Sequence, residues 1–196
     1  MVCSECTDLP NRNPMVMAYL EDPGYPPFEM VDVLLSALSP PAIVRLFCIQ
    51  FERKYLRISS AMPCINLPFI HVIARSLGME RCISFYKALE RLSKDELVTI
   101  FSATDSNQMV AAHTAASNQD YRFFDKLESL LERRQFIQIC MALDGAGRTP
   151  IHYFIYSKES CGDLEILLGK VYGTDANAKI TINDFIDNFS ALSLKK

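Results

Sequence analysis

From about Phe28 onward the apolar residues recur at three- and four-residue steps, and no long stretch alternates with period two. The pattern predicts an all-α fold, with helices over residues 28–38, 41–58, 67–77, 80–92, 94–102, 110–117, 121–131, 134–143, 150–157, 162–168 and 182–192. Several starts carry their own signals. Ser93 stands three residues before Glu96, the spacing of a capping box, and Pro41 and Pro150 sit where a first-turn proline is tolerated. The stretch EDPGYPP, residues 21–27, and the pair Pro40 and Pro41 act as breakers.

The second half of the chain aligns with itself. All three histidines fall in matched surroundings: LPFIHVIA at His71, MVAAHTAA at His113 and RTPIHYFI at His152, spaced by 42 and 39 residues. Asp105 precedes His113 by eight residues and Asp144 precedes His152 by the same eight. Apolar positions 97, 98, 100 and 101 match 136, 137, 139 and 140 without a gap. A period in this range implies stacked supersecondary units, none of which buries its apolar face alone.

The residues DGAGRTPIHYFI, 144–155, resemble the opening of an ankyrin repeat: Asp144, Gly147, Thr149, Pro150, Ile151 and His152 follow that family's order, and LEILL, 164–168, follows its second helix. The unit at His113 keeps Asp105, Ala115 and Ala116 but has Gln108 for the glycine and Val110-Ala111 for Thr-Pro; the unit at His71 keeps little beyond the histidine and Ala74. Glycine would supply the positive φ of the turn, threonine the cap and proline the preset φ of the first helical turn. The resemblance implies that each histidine hydrogen-bonds to threonine and to backbone bridging neighbouring units. Where Val110 replaces threonine, His113 needs another partner. The surplus over the usual repeat length fits an additional short helix, SKDELVTIFSA and RRQFIQICMAL, before each turn. This elongated pattern is similar to ankyrin proteins among the effectors of intracellular bacteria.

The implied architecture is a short helical solenoid with divergent helical caps: a flexible N-terminus over 1–14, an N-terminal cap over 15–60, ankyrin-like repeats over 61–180 and a C-terminal capping helix over 181–196. The implied function is non-enzymatic: holding a protein partner in a concave groove. Carried over position by position, the turn residues are Ser106, Asn107 and Met109, then Gly145, Ala146 and Arg148. The exposed first-helix residues are Arg75 and Ser76, Ser117 and Asn118, then Tyr156 and Ser157. Arg148 and Tyr156 lead, because Arg and Tyr dominate binding hot spots.

Composition narrows the picture. The 196 residues, 49% apolar and 22% charged, suit one globular unit. A net charge of -3 with scattered Lys and Arg argues against a nucleic-acid partner, and neither a membrane span nor a signal peptide is expected. Seven cysteines, most inside apolar helical patterns, suggest reduced thiols in a cytoplasm, the host's if the chain is a delivered effector. The chain is expected to be a monomer when free, with no cofactor and no metal.

Two rival readings remain. A cysteine-dependent enzyme would use residues 1–60, or a pair such as Cys140 with His152 or Cys64 with His71. A calcium-binding protein would use GTDANAKITINDF, residues 173–185, but ligand spacing from Asp175 puts Lys179 where an oxygen is needed and Ile186 where the bidentate glutamate belongs. The same letters are similar to the finger that follows the second helix of an ankyrin unit. Cys3 and Cys6 make only half a zinc site. Phe123, Phe124, Phe136, Tyr153 and Phe154 keep helical spacing and are expected in the core.

Overall fold

A computed structural model describes residues 28–52, 66–75, 79–156 and 161–173. The fold is all-α apart from one minimal hairpin. In chain order the elements are α1 (Phe28–Ala37), α2 (Pro40–Cys48), β1 (Gln50–Glu52), β2 (Asn66–Pro68), α3 (Phe69–Arg75), α4 (Met79–Leu89), α5 (Lys94–Phe101), α6 (Ala111–Ser117), α7 (Tyr121–Leu130), α8 (Arg133–Cys140), α9 (Pro150–Tyr156) and α10 (Cys161–Tyr172).

The hairpin corrects the expected helix over 41–58. The helix stops at Cys48, and β1 pairs antiparallel with β2 in the register Gln50 to Pro68, Phe51 to Leu67 and Glu52 to Asn66. The Phe69 N–H donates to the Ile49 carbonyl at 3.0 Å, which ties the hairpin base to the start of α3. Three-residue strands are too short to show a period, and their stability comes from a partner distant in sequence. The helix expected over 134–143 ends at Cys140, and the one over 162–168 runs on to Tyr172.

The elements form two rows. The short helices α3, α6 and α9 contact one another in succession, and so do the longer α4, α7 and α10. At the leading end α1 lies on α4, while α2 contacts α3 and α5. The row of short helices is the most completely buried part. Phe69, Ile70, Val72, Ile73 and Ala74 of α3 and Ala111, Ala112, Ala115 and Ala116 of α6 are all in the core. Alanine at four of seven positions in α6 lets helices approach on both sides, and small side chains lose little entropy on burial. Aromatic residues fill the space between rows: Phe69 meets Phe85 edge-on at 5.2 Å, Phe101 meets Phe123 at 6.0 Å, and Phe124 meets Phe154 at 5.4 Å. Of the aromatics expected in the core, Phe123, Phe124, Phe136 and Phe154 are buried, and Tyr153 is half-buried.

The additional helices α5 and α8 are tied to the row of long helices by bonds from charged side chains. Each has a basic residue at its first position, and each reaches the C-terminal carbonyls of a long helix. Lys94 Nζ donates to Leu130 O of α7, and Arg133 Nη2 donates to Val171 O of α10. Cations at that end also favour the helix dipole. The capping box opening α5 is present, with Glu96 N–H donating to Ser93 Oγ at 3.3 Å and Ser93 N–H to Glu96 Oε2 at 2.8 Å. Salt bridges link Lys126 to Glu90, and Lys170 to Asp125 and Glu128, from one long helix to the next.

The turns before α6 and α9 share one backbone form. Gln108 N–H donates to Asp105 O at 3.1 Å, and Gly147 N–H to Asp144 O at 2.9 Å. The residue closing each turn is left-handed, Gln108 at φ 60° and Gly147 at 75°. Glycine adopts that conformation without strain, whereas a side chain costs about 1 kcal/mol. Gly147→Ala should therefore lower stability by about 1 kcal/mol, and Gln108→Gly should raise it by up to about 1 kcal/mol. Denaturant midpoints at unchanged slope check both; equal midpoints for the two variants would contradict the assigned backbone.

Candidate functional site

The two turns and the three histidines form one hydrogen-bonded system. Asp105 Oδ1 accepts from the N–H groups of Asn107 and Met109 at 2.8 and 2.9 Å. Asp144 Oδ1 accepts from those of Ala146 and Arg148 at 2.9 and 2.8 Å. An ionised carboxylate oxygen has two lone pairs and accepts two converging N–H donors with charge-assisted bonds. The turns also touch each other: Gly145 N–H donates to Asn107 O at 2.9 Å, and a Cβ on Gly145 would stand 3.0 Å from that oxygen. Gln50 Nε2 donates to Thr104 O at 3.2 Å, so the β1–β2 hairpin joins the same row.

Each histidine occupies the third position of a short helix and adapts to what precedes that helix. At His152, the Thr149 N–H and hydroxyl both meet Nδ1, at 2.9 and 2.8 Å. At His113, Val110 has no hydroxyl, and its backbone N–H alone donates to Nδ1 at 3.1 Å. At His71 the preceding residue is Pro68, which has no N–H, and Nδ1 instead lies 3.0 Å from the hydroxyl of Thr114 on α6.

The other ring nitrogen reaches forward. His71 Nε2 lies 3.1 Å from Ala103 O, and His113 Nε2 lies 3.0 Å from Arg148 O. A carbonyl can only accept, so in both rings Nε2 carries the proton and Nδ1 accepts. Each of these two histidines thus ties its own helix to a carbonyl flanking the following turn.

Burial pushes all three rings toward the neutral form. For His71 it outweighs the favourable Ala103 bond and the Asp105 charge, lowering the pKa from 6.5 to about 4. His113 and His152 are also lowered, chiefly by burial. Burial raises the pKa of Cys140, a fully buried thiol among apolar side chains, and keeps it protonated. Burial likewise raises that of Cys48.

The second turn carries an additional cluster. Asp144 Oδ2 accepts from Tyr153 Oη–H at 2.6 Å and Arg148 Nε at 3.0 Å, and Arg148 Nη2 reaches the Tyr153 hydroxyl at 2.6 Å. The guanidinium lies over the Tyr153 ring, 4.8 Å from its centroid, and that ring meets His113 edge-on at 5.5 Å. Burial opposes the charge on Asp144, but the bonds from Tyr153 and Arg148 overcome it and lower the pKa to about 2. Burial and the facing carboxylate raise that of Tyr153.

The expected contact residues divide on exposure. Ser106, Gly145 and Ala146 are exposed, and Asn107 is half-buried at the junction of the two turns. Met109 is corrected: it is 4% exposed, with its sulfur 3.8 Å from the Tyr153 hydroxyl, because the residue after the left-handed position turns its side chain inward. Arg148 is half-exposed but bound to Asp144 and Tyr153, so it serves the turn as well as the surface. Ser117 and Asn118 are half-buried and donate back to α6 carbonyls, at His113 O and Thr114 O. Arg75 is half-buried at the end of α3. Ser76 and Ser157 lie outside the described residues, as does the side chain of Tyr156. So do Cys3, Cys6, Cys64 and the candidate calcium ligands from Asp175 onward. Among the described residues, no group of three or more His, Cys, Asp or Glu is placed to hold a metal, and no helix is long and apolar enough to cross a membrane.

Sequence reasoning missed Tyr153 and Thr114 as members of the hydrogen-bonded system. Tyr153 follows a histidine in a helical apolar run and reads as core. Compared with known protein families, with curated proteins and with solved structures, the chain matches none.

The histidine environment fixes an acid response. Because the folded pKa of His71 is depressed, its contribution is present above pH 6.5 and is lost as pH falls through about 4, a loss of about 3 kcal/mol. Denaturant unfolding at pH 7 and pH 4 should show that drop, and His71→Gln should shrink it; an unchanged pH difference in the variant would contradict it. Asp144→Ala should cost about 2–4 kcal/mol, since two turn N–H groups and the Arg148 guanidinium lose their acceptor, and Tyr153→Phe about 1 kcal/mol. A thermal scan of the pair checks the ranking; a larger loss for Tyr153→Phe would reverse it.

Proposed function

We propose that the chain is a divergent ankyrin-repeat module that holds a protein partner on the surface formed by its turns and the adjoining ends of the short helices. The observation that supports this reading most directly is the joined row of turns, in which Gly145 N–H meets Asn107 O and Gln50 meets Thr104 O. Backbone-linked turns present neighbouring side chains at fixed spacing, and a rigid surface binds without first losing conformational entropy. The two rows of helices and the forward-reaching histidines suit the resemblance of residues 144–155 to an ankyrin opening.

In this reading Ser106, Asn107, Gly145, Ala146 and Arg148 line the turn side of the groove. Arg75, Ser117 and Asn118 line the helix side, to which the repeat spacing also assigns Ser76, Tyr156 and Ser157. Met109 acts beneath the surface. The protein works as a monomer in a cytoplasm, and as an effector inside a host cell if a bacterium delivers it.

The experiment is affinity capture from cell lysate with mass spectrometry, comparing the wild type with a Ser106→Arg, Ser117→Arg double variant and with Ser129→Arg on α7. Ser106 and Ser129 are exposed and Ser117 half-buried, so each arginine can reach solvent. A partner retained by the wild type and Ser129→Arg but lost from the double variant, at equal melting temperature, is the expected result. Equal retention by all three would reject the groove. Arg148→Glu is a poor probe, because it sets a second carboxylate against Asp144.

A further inference from the structure

The turn before α6 keeps a glutamine in a conformation its counterpart assigns to glycine. Gln108 has a φ of 60° and the matching Gly147 has 75°. Left-handed backbone is free of strain for glycine and unfavourable for a residue with a side chain. Both residues make the same backbone bond to the aspartate of their turn, so nothing in the main chain requires a glutamine. Its carboxamide makes no hydrogen bond among the described residues that would offset the strain.

The side chain is exposed and lies along the neighbouring turn: a Cβ on Gly145 would stand 4.0 Å from Gln108 Cδ. The surrounding tips carry no charge. Ser106, Asn107 and Gln108 in one turn, and Gly145, Ala146 and Gly147 in the next, have no ionisable side chain, and Arg148 beyond them is paired with Asp144. A carboxamide offers a donor and an acceptor side by side, the complement of a peptide group or another carboxamide.

We infer that Gln108 is the residue with which the row of turns reads its partner, and that the contacted surface is an uncharged polypeptide segment whose main-chain or carboxamide groups pair with the Gln108 amide. The inference rests on the binding-module reading. Strain is retained at this position because the side chain it carries makes its bonds to the partner rather than within the chain.

The test is selection of a displayed random-peptide library on the full chain, followed by titration of the enriched peptides against the wild type, Gln108→Gly and Gln108→Glu at low and high salt. Enriched peptides should lack net charge and bind equally at both salt concentrations, since no ion pair is screened. Gln108→Gly should bind at least about tenfold more weakly while melting at a higher temperature. Gln108→Glu keeps the shape but loses the donor, and should also weaken binding. Peptides that bind the wild type and Gln108→Gly alike would overturn the inference alone, as would charged peptides whose affinity collapses in salt. A library yielding no peptide for the wild type would overturn the binding-module reading with it.

Discussion

Two buried histidines connect the successive units of this fold, and each does so through the ring nitrogen that faces forward. His71 and His113 donate from Nε2 to carbonyls flanking the next turn, while Nδ1 accepts from the Thr114 hydroxyl at His71 and from the Val110 N–H at His113. A neutral imidazole is the side chain that can donate at one edge and accept at the other across a buried junction. The short helices are seven residues each, below the length at which a helix is stable alone, so their order depends on such junctions and on the apolar contacts around them.

The accepting side of each ring shows how one role survives different neighbours. Thr149 meets His152 with both N–H and hydroxyl, Val110 meets His113 with N–H only, and Pro68 leaves His71 to take the hydroxyl of Thr114. That last substitution moves the bond from within a unit to between units. Asp105 and Asp144 fix the turns that receive the forward bonds, and the second turn adds Arg148 and Tyr153 around its carboxylate. Lys126 and Lys170 form ion pairs from one long helix to the next, where partial exposure to water leaves each a modest contribution, and Lys94 and Arg133 donate from α5 and α8 to carbonyls at the ends of those helices.

Most helices were legible because apolar steps of three and four recur in the letters themselves, whereas the histidine bonds were expected from the resemblance of their matched surroundings to an ankyrin opening. The β1–β2 hairpin was not legible. Phe47, Phe51 and Tyr55 stand at four-residue steps that continue a helical spacing, and the strand exists only because residues 66–68 return to pair with it. Met109 was misplaced on the surface for a different reason. Transfer by position assigns it to the turn, but its direction is set by the left-handed residue before it and by the Tyr153 hydroxyl that it meets. Arg148 was read as an independent surface side chain because its two partners lie four residues before it and five after, a proximity that only the folded turn creates.

Amide hydrogen exchange in His113→Leu tests the coupling most directly. Leucine keeps the bulk but removes both the bond to Val110 N–H and the bond to Arg148 O. If the histidine couples the units, the N–H groups of Gly145, Gly147 and Arg148 should lose at least about tenfold more protection than those within α7, so that the turn opens ahead of the helix row. An equal loss of protection across the turn and α7 would show that the units are joined by apolar packing alone and that the histidine bond contributes nothing specific.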